Sequence, residues 1–143
     1  MISWHPDGPT RIAVGYAIQR FQQMPEKMPS DAYIWDINNP NNPTHVLQSP
    51  SPVCCIKYNH KQTETIAAGC YNGLVLYWDL RQKKQNAMGH HAFEKTVDVK
   101  EAHHDPVTDL VWRSDKAGSK FVTTSTDGRI CWWDFRKMSA PTD

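Results

Sequence analysis

The chain has 143 residues, 16 Lys and Arg against 15 Asp and Glu, and a formal net charge of +1. A pI near 7.7 argues against a nucleic-acid binder that works by bulk electrostatics, which carries a basic stripe and a pI above about 9. Mean hydropathy is −0.65, and no window approaches the ~18 consecutive apolar residues of a membrane span. The opening MISWHPDGPTR lacks the basic and apolar regions of a secretion signal. Cys54, Cys55, Cys70 and Cys131 form no spaced framework, so a reduced, intracellular protein is expected.

In chain order, short apolar runs alternate with turn residues. The first unit, residues 1–50, offers strands at Ile2–Trp4, 11–16, Ala32–Asp36 and 44–48. A polar insertion at 17–30, containing Phe21, Met24 and Met28, replaces a tight turn between the second and third. The second unit, 51–100, opens with PVCCIKYN (52–59), continues with TIAAGCYNGLVLYWDLR (65–81), and has a further strand near 96–99. The third, 101–143, repeats the pattern with PVTDLVW (106–112) and KFVTTSTDGRICWWDFR (120–136), and lacks a fourth strand. Asn72-Gly73 and Asp127-Gly128 each stand between two such runs. These dipeptides are the strongest short-range hairpin signals, because both turn positions need positive φ. No apolar 3.6-residue period runs for three turns, so no helix is expected.

The two hairpins superpose without a gap at an offset of 55 residues, and each ends in Trp-Asp-x-Arg. The repeat also explains the six tryptophans. The signature pairs are Trp35-Asp36, Trp78-Asp79 and Trp133-Asp134. Four-stranded units of about 40–45 residues ending in Trp-Asp are the pattern of a propeller blade. The expectation is an all-β fragment of about three four-stranded antiparallel blades, the last without its outer strand.

These residues resemble the WD-repeat family of β-propellers. The resemblance implies a structural tetrad in the last unit formed by His103, Thr123, Asp127 and Trp133, with indole N–H to hydroxyl, hydroxyl to imidazole and imidazole to carboxylate. The middle unit departs from it, with Ala68 for the hydroxyl, Asn72 for the Asp and no His before its first strand. The first unit keeps only Trp35. A closer likeness covers nearly the whole chain and includes linker positions such as Pro50-Ser51-Pro52 and Arg136-Lys137-Met138-Ser139. It is to the propeller region of axonemal outer-arm dynein intermediate chains, and it weakens across 82–94. It implies a non-catalytic scaffold in cilia and flagella, in the cytoplasm and cytoskeleton. The implied partners are a dynein heavy chain, a second intermediate chain and light chains.

No nucleophile or cofactor motif accompanies His103 and Asp127, so neither an enzyme nor a cofactor is expected. His90-His91, His103-His104, Cys54 and Cys55 lack the paired spacing of a structural zinc site. Lys83, Lys84, Lys95 and Lys100 read as solvated surface. Phe21, Met24, Met28 and Phe93 are apolar residues in polar stretches and are the candidate partner contacts. Arg81 and Arg136 close the two Trp-Asp-x-Arg boxes. Those boxes also resemble WD-repeat substrate receptors of cullin-type ubiquitin ligases, which is the alternative reading; local pairing with Asp79 and Asp134 is the simpler one. About three blades cannot close a ring of 4–8, so the chain is expected to be part of a longer protein with exposed blade faces. Ile130, Trp132 and Phe135 are the candidates for one such face.

Overall fold

The computed structural model describes residues 1–8, 10–18, 29–82, 90–93 and 95–143. Twelve strands and no helix occur among them. They are β1 (Ile2–Trp4), β2 (Arg11–Val14), β3 (Ala32–Asp36), β4 (His45–Leu47), β5 (Val53–Tyr58), β6 (Thr65–Cys70), β7 (Val75–Asp79), β8 (His90–His91), β9 (Lys95–Thr96), β10 (Val107–Trp112), β11 (Lys120–Ser125) and β12 (Ile130–Asp134). Three sheets result, with orders β1-β2-β3-β4-β8, β5-β6-β7-β9 and β10-β11-β12. Gly73 and Gly128 take φ of 87° and 82°, the left-handed backbone that lets β6–β7 and β11–β12 fold back through tight turns.

The registers place the three sheets in correspondence. Ile12↔Trp35, Ile66↔Trp78 and Phe121↔Trp133 are the same cross-strand pair in each. Two residues further along the second strand stand Val14, Ala68 and Thr123. An irregularity recurs at the start of the first strand, between Val53 and Cys55 and between Val107 and Asp109.

Two apolar cores lie between the sheets. Ala13, Ile34 and Leu47 of the first sheet meet Ile56, Tyr58, Ile66, Leu76 and Trp78 of the second. Cys55, Ala67, Val75 and Tyr77 on the other face of the second sheet meet Leu110, Trp112, Phe121 and Trp133 of the third. Every residue of β6 is buried, because this strand packs on both sides; its sequence TIAAGC is accordingly apolar and small rather than alternating. The small residues set the spacing. A Cβ on Gly69 would lie 2.3 Å from Val107 Cγ1, and one on Gly15 would lie 2.8 Å from Val53 Cγ1. The leading valine of the second sheet and that of the third are thus each seated on a glycine of the sheet before.

Three details differ from the sequence expectation. β8 lies within the second unit's residues but pairs with β4 of the first sheet, in parallel, through Val46↔His90 and Leu47↔His91. A two-residue strand has no periodicity to read, and the unpaired edge of β4 is what recruits it. β9 is shorter than expected, although Val97 N–H still donates to Val75 O at 3.3 Å. Phe135 is not on the outer face. It is buried against the second sheet, stacked on Tyr77 with ring centroids 4.7 Å apart, because the turn after β12 carries it back over the core. Beside β12, Trp132 N–H donates to Asp143 O at 3.0 Å and Thr142 N–H to Trp132 O at 2.7 Å.

Candidate functional site

β11 and β12 bring Thr123 and Trp133 onto the face that packs against the second sheet, and the connection into β10 brings His103. Trp133 Nε1–H donates to Thr123 Oγ1 at 2.7 Å. Thr123 Oγ1 lies 2.8 Å from His103 Nε2, and His103 Nδ1 lies 3.3 Å from Asp127 Oδ2. A carboxylate only accepts, so Nδ1 carries the proton, and Nε2 accepts from the hydroxyl. Asp127 also accepts His104 N–H at 2.9 Å and Arg129 N–H at 2.8 Å. Thr123 is fully buried and His103 nearly so, and each polar atom of the chain is matched by its neighbour.

Burial pulls the His103 imidazole below its ordinary value, although Asp127 opposes this. The hydrogen bonds agree: a second ring proton would face Thr123 Oγ1, which already receives the indole N–H. Burial pushes the Asp127 carboxyl up, but the backbone N–H groups of His104 and Arg129 and the His103 ring outweigh it and hold the group low.

The preceding hairpin positions His103. Its N–H donates to Gly73 O at 3.2 Å, and a Cβ on Gly73 would lie 1.9 Å from His103 O. The turn of one sheet is therefore the platform for the next sheet's histidine. Sequence reasoning assigned Gly73 to a turn but missed this contact, as it missed Gly15 and Gly69. An isolated glycine inside a strand was the available signal.

The other sheets carry less of this chain. With Ala68 and Val14 at the hydroxyl position, Trp78 Nε1 and Trp35 Nε1 are buried without a hydrogen-bond partner. Asn72 keeps the turn: its Oδ1 accepts Leu74 N–H at 3.1 Å, and its own N–H donates to Ser51 Oγ at 3.1 Å. Between the first and second sheets, Asp7 N–H donates to His5 Nδ1 at 3.2 Å. His5 Nε2–H then faces Glu64 Oε1 at 3.3 Å, a link the sequence did not suggest.

Arg81 folds back on Asp79, with Nε to Oδ1 at 3.0 Å and Nη2 to Oδ2 at 2.8 Å. Arg136 does the same on Asp134, with Nε to Oδ1 at 3.0 Å and Nη2 to Oδ2 at 2.6 Å. The guanidinium hydrogen bonds hold both carboxyls below their ordinary value. Asp36, the third signature aspartate, accepts Asn38 N–H at 2.9 Å. Phe93 is exposed. Phe21, Met24, Met28, Lys83 and Lys84 lie outside the described residues.

Two uncovered apolar features among the described residues lie on the first and third sheets. Ile2, Ile12, Val14, Tyr16, Trp35 and Ile37 line an open groove of about 430 Å³ on the first sheet. Val111, Ile130 and Trp132 are exposed on the third.

A family profile described as the dynein axonemal intermediate chain 3 WD40 domain matches residues 1–117. The chain belongs to the axonemal dynein intermediate-chain WD40 family. Among members of that family, it is 43% identical over 142 residues to "Dynein intermediate chain 3, ciliary" of Heliocidaris crassispina, covering 99% of this chain and 23% of the relative. It is 42% identical over 140 residues to the 70 kDa intermediate chain of the flagellar outer arm of Chlamydomonas reinhardtii, covering 96% and 23%. It is 40% identical over 142 residues to dynein axonemal intermediate chain 2 of Homo sapiens, covering 99% and 22%. The chain thus spans under a quarter of the length of the intermediate chains it matches.

Proposed function

We propose that this chain is scaffold from an axonemal outer-arm dynein intermediate chain, without chemistry of its own, acting in the cilium or flagellum. The carrying observation is the 43% identity to a ciliary intermediate chain along 99% of its length. The geometry supports a structural reading of the polar chain. The Thr123 hydroxyl is buried and spends its hydrogen bonds on Trp133 and His103, so no nucleophile faces solvent there. The three units, residues 1–50, 51–100 and 101–143, act on this reading as three successive blades.

The implied partners are the heavy-chain tail, the second intermediate chain and light chains. A net charge of +1 gives no long-range field, so the contact energy comes from apolar anchors ringed by polar groups. Phe21, Met24 and Met28 of the insertion, and then Phe93, are the proposed anchors. Replacing Phe21, Met24 and Met28 together with Ser, in the full intermediate chain expressed in ciliated cells, should weaken co-purification with the heavy-chain tail while the chain stays folded. Normal assembly of the triple variant overturns the assignment. For the alternative, a ubiquitin-ligase receptor, neither box offers support, since Arg81 and Arg136 are each engaged by their own aspartate.

A further inference from the structure

We propose that His5 and Asn59 are clasps that hold the first sheet to the second and the second to the third, and that the two junctions open separately, each uncovering one buried cysteine. The two residues stand at the same place in their sheets. Trp4↔Ile12 and Tyr58↔Ile66 are corresponding pairs, and the residue after each opens the same loop. His5 N–H donates to Arg11 O and Asn59 N–H to Thr65 O, both at 3.0 Å. Both residues are buried, and each divides its hydrogen bonds in the same way. One atom accepts from its own loop: His5 Nδ1 from Asp7 N–H at 3.2 Å, and Asn59 Oδ1 from Lys61 N–H at 2.9 Å. The other donates across to the next sheet: His5 Nε2–H to Glu64 Oε1 at 3.3 Å, and Asn59 Nδ2–H to Gly118 O at 2.6 Å. The task needs an acceptor and a donor on one side chain, which a neutral imidazole and an amide have and a carboxylate or an ammonium lacks.

The receiving loops fit the clasps. Gly118 has φ of 63°, and a Cβ there would lie 2.7 Å from Lys61 Cβ, so the third sheet's loop rests directly on the second's. Lys61 Nζ donates to Lys116 O at 3.1 Å beside it. At the first junction Arg11 adds a 3.7 Å ion pair to Glu64 Oε2. The two junctions are separate units. No buried residue of one core belongs to the other, and in repeat architectures the contact between neighbouring units is a stability contribution of its own. Cys70 lies in the core between the first and second sheets, and Cys55 in the core between the second and third. Both are fully buried, and burial pushes each thiol up to about 12. Neither reacts until its junction opens.

Timed labelling of the full intermediate chain with iodoacetamide, resolved to single cysteines by tandem mass spectrometry, tests this. Circular dichroism checks that each variant is folded, and the assay needs no dynein partner, so its outcome is independent of the scaffold reading. Asn59→Asp keeps the acceptor and loses the donor, so Cys55 should label about tenfold faster while Cys70 keeps its wild-type rate. Glu64→Ala should speed Cys70 by a similar factor and leave Cys55 unchanged. Glu64→Gln retains an acceptor oxygen, and Cys70 should label near the wild-type rate. An unchanged Cys55 rate in Asn59→Asp, or an unchanged Cys70 rate in Glu64→Ala, overturns the clasp. Equal acceleration of both thiols by either variant overturns the separate junctions. Cys70 labelling as fast in Glu64→Gln as in Glu64→Ala overturns the hydrogen bond from His5 as the closing contact.

Discussion

Trp133 Nε1 stands 2.7 Å from Thr123 Oγ1, and this hydrogen bond distinguishes the third sheet from the second. In the second sheet, Ala68 occupies the position of Thr123, and Trp78 Nε1 is buried without an acceptor. Thr123→Val should therefore cost about 1–3 kcal/mol, because it strands both the indole N–H and the His103 acceptor. Ala68→Ser should raise stability by about 0.5–1.5 kcal/mol by giving Trp78 a partner. Urea denaturation of both variants measures the two effects, and equal losses contradict the account.

Asp127 and Asn72 occupy the same turn position but differ in what they hold. Asp127 accepts from His103, His104 and Arg129, whereas the Asn72 side chain accepts Leu74 N–H. Asp127→Ala should cost about 1–3 kcal/mol, and Asn72→Ala clearly less. Paired melting curves in one background decide between them.

Gly73 and Gly128 share a left-handed backbone but not a neighbourhood. A Cβ on Gly128 meets nothing within 4 Å, while one on Gly73 would sit 1.9 Å from His103 O. Gly128→Ala should cost only the conformational strain, about 1–2 kcal/mol. Gly73→Ala should cost more, because the His103 backbone must move and the imidazole leaves the reach of Thr123. The nuclear magnetic resonance signals of the His103 ring should shift in Gly73→Ala and stay in place in Gly128→Ala.

The buried imidazole makes stability depend on pH in a stated direction. His103 titrates below its ordinary 6.5 in the folded chain, so the unfolded chain takes up a proton first as pH falls. The stability contributed by the neutral ring is complete above about 6.5 and declines as pH drops below it. Asp127 is held below its ordinary 3.8, so its contribution is lost only in stronger acid. Urea midpoints measured from about pH 8 to about pH 5 should fall more steeply for the wild-type chain than for His103→Asn.

Much of this was legible in the sequence for local reasons. Asn72-Gly73 and Asp127-Gly128 specify their turns through a left-handed glycine and a side-chain oxygen that accepts the N–H two residues on, and the Trp-Asp pairs mark the ends of β7 and β12. The side on which a residue falls was harder to read. Phe135 lies just past β12, where the strand alternation no longer applies, and it stacks on Tyr77 instead of facing out with Trp132. The seats of Val53 on Gly15 and Val107 on Gly69 depend on neighbours far apart in sequence, so an isolated glycine signals a close approach but not the residue that makes it. β8 is two residues long and owes its place to an open strand edge.

The parallel pairing of β8 with β4 also orders events during synthesis. A ribosome releases the first four strands well before His90 and His91, so the outer edge of β4 emerges bare and stays so while the next hairpin is made. Exposed edges of this kind pair readily with other chains. Between the two emergences β4 has an edge to lose to another chain, and a chaperone that shields it would keep that edge for His90 and His91.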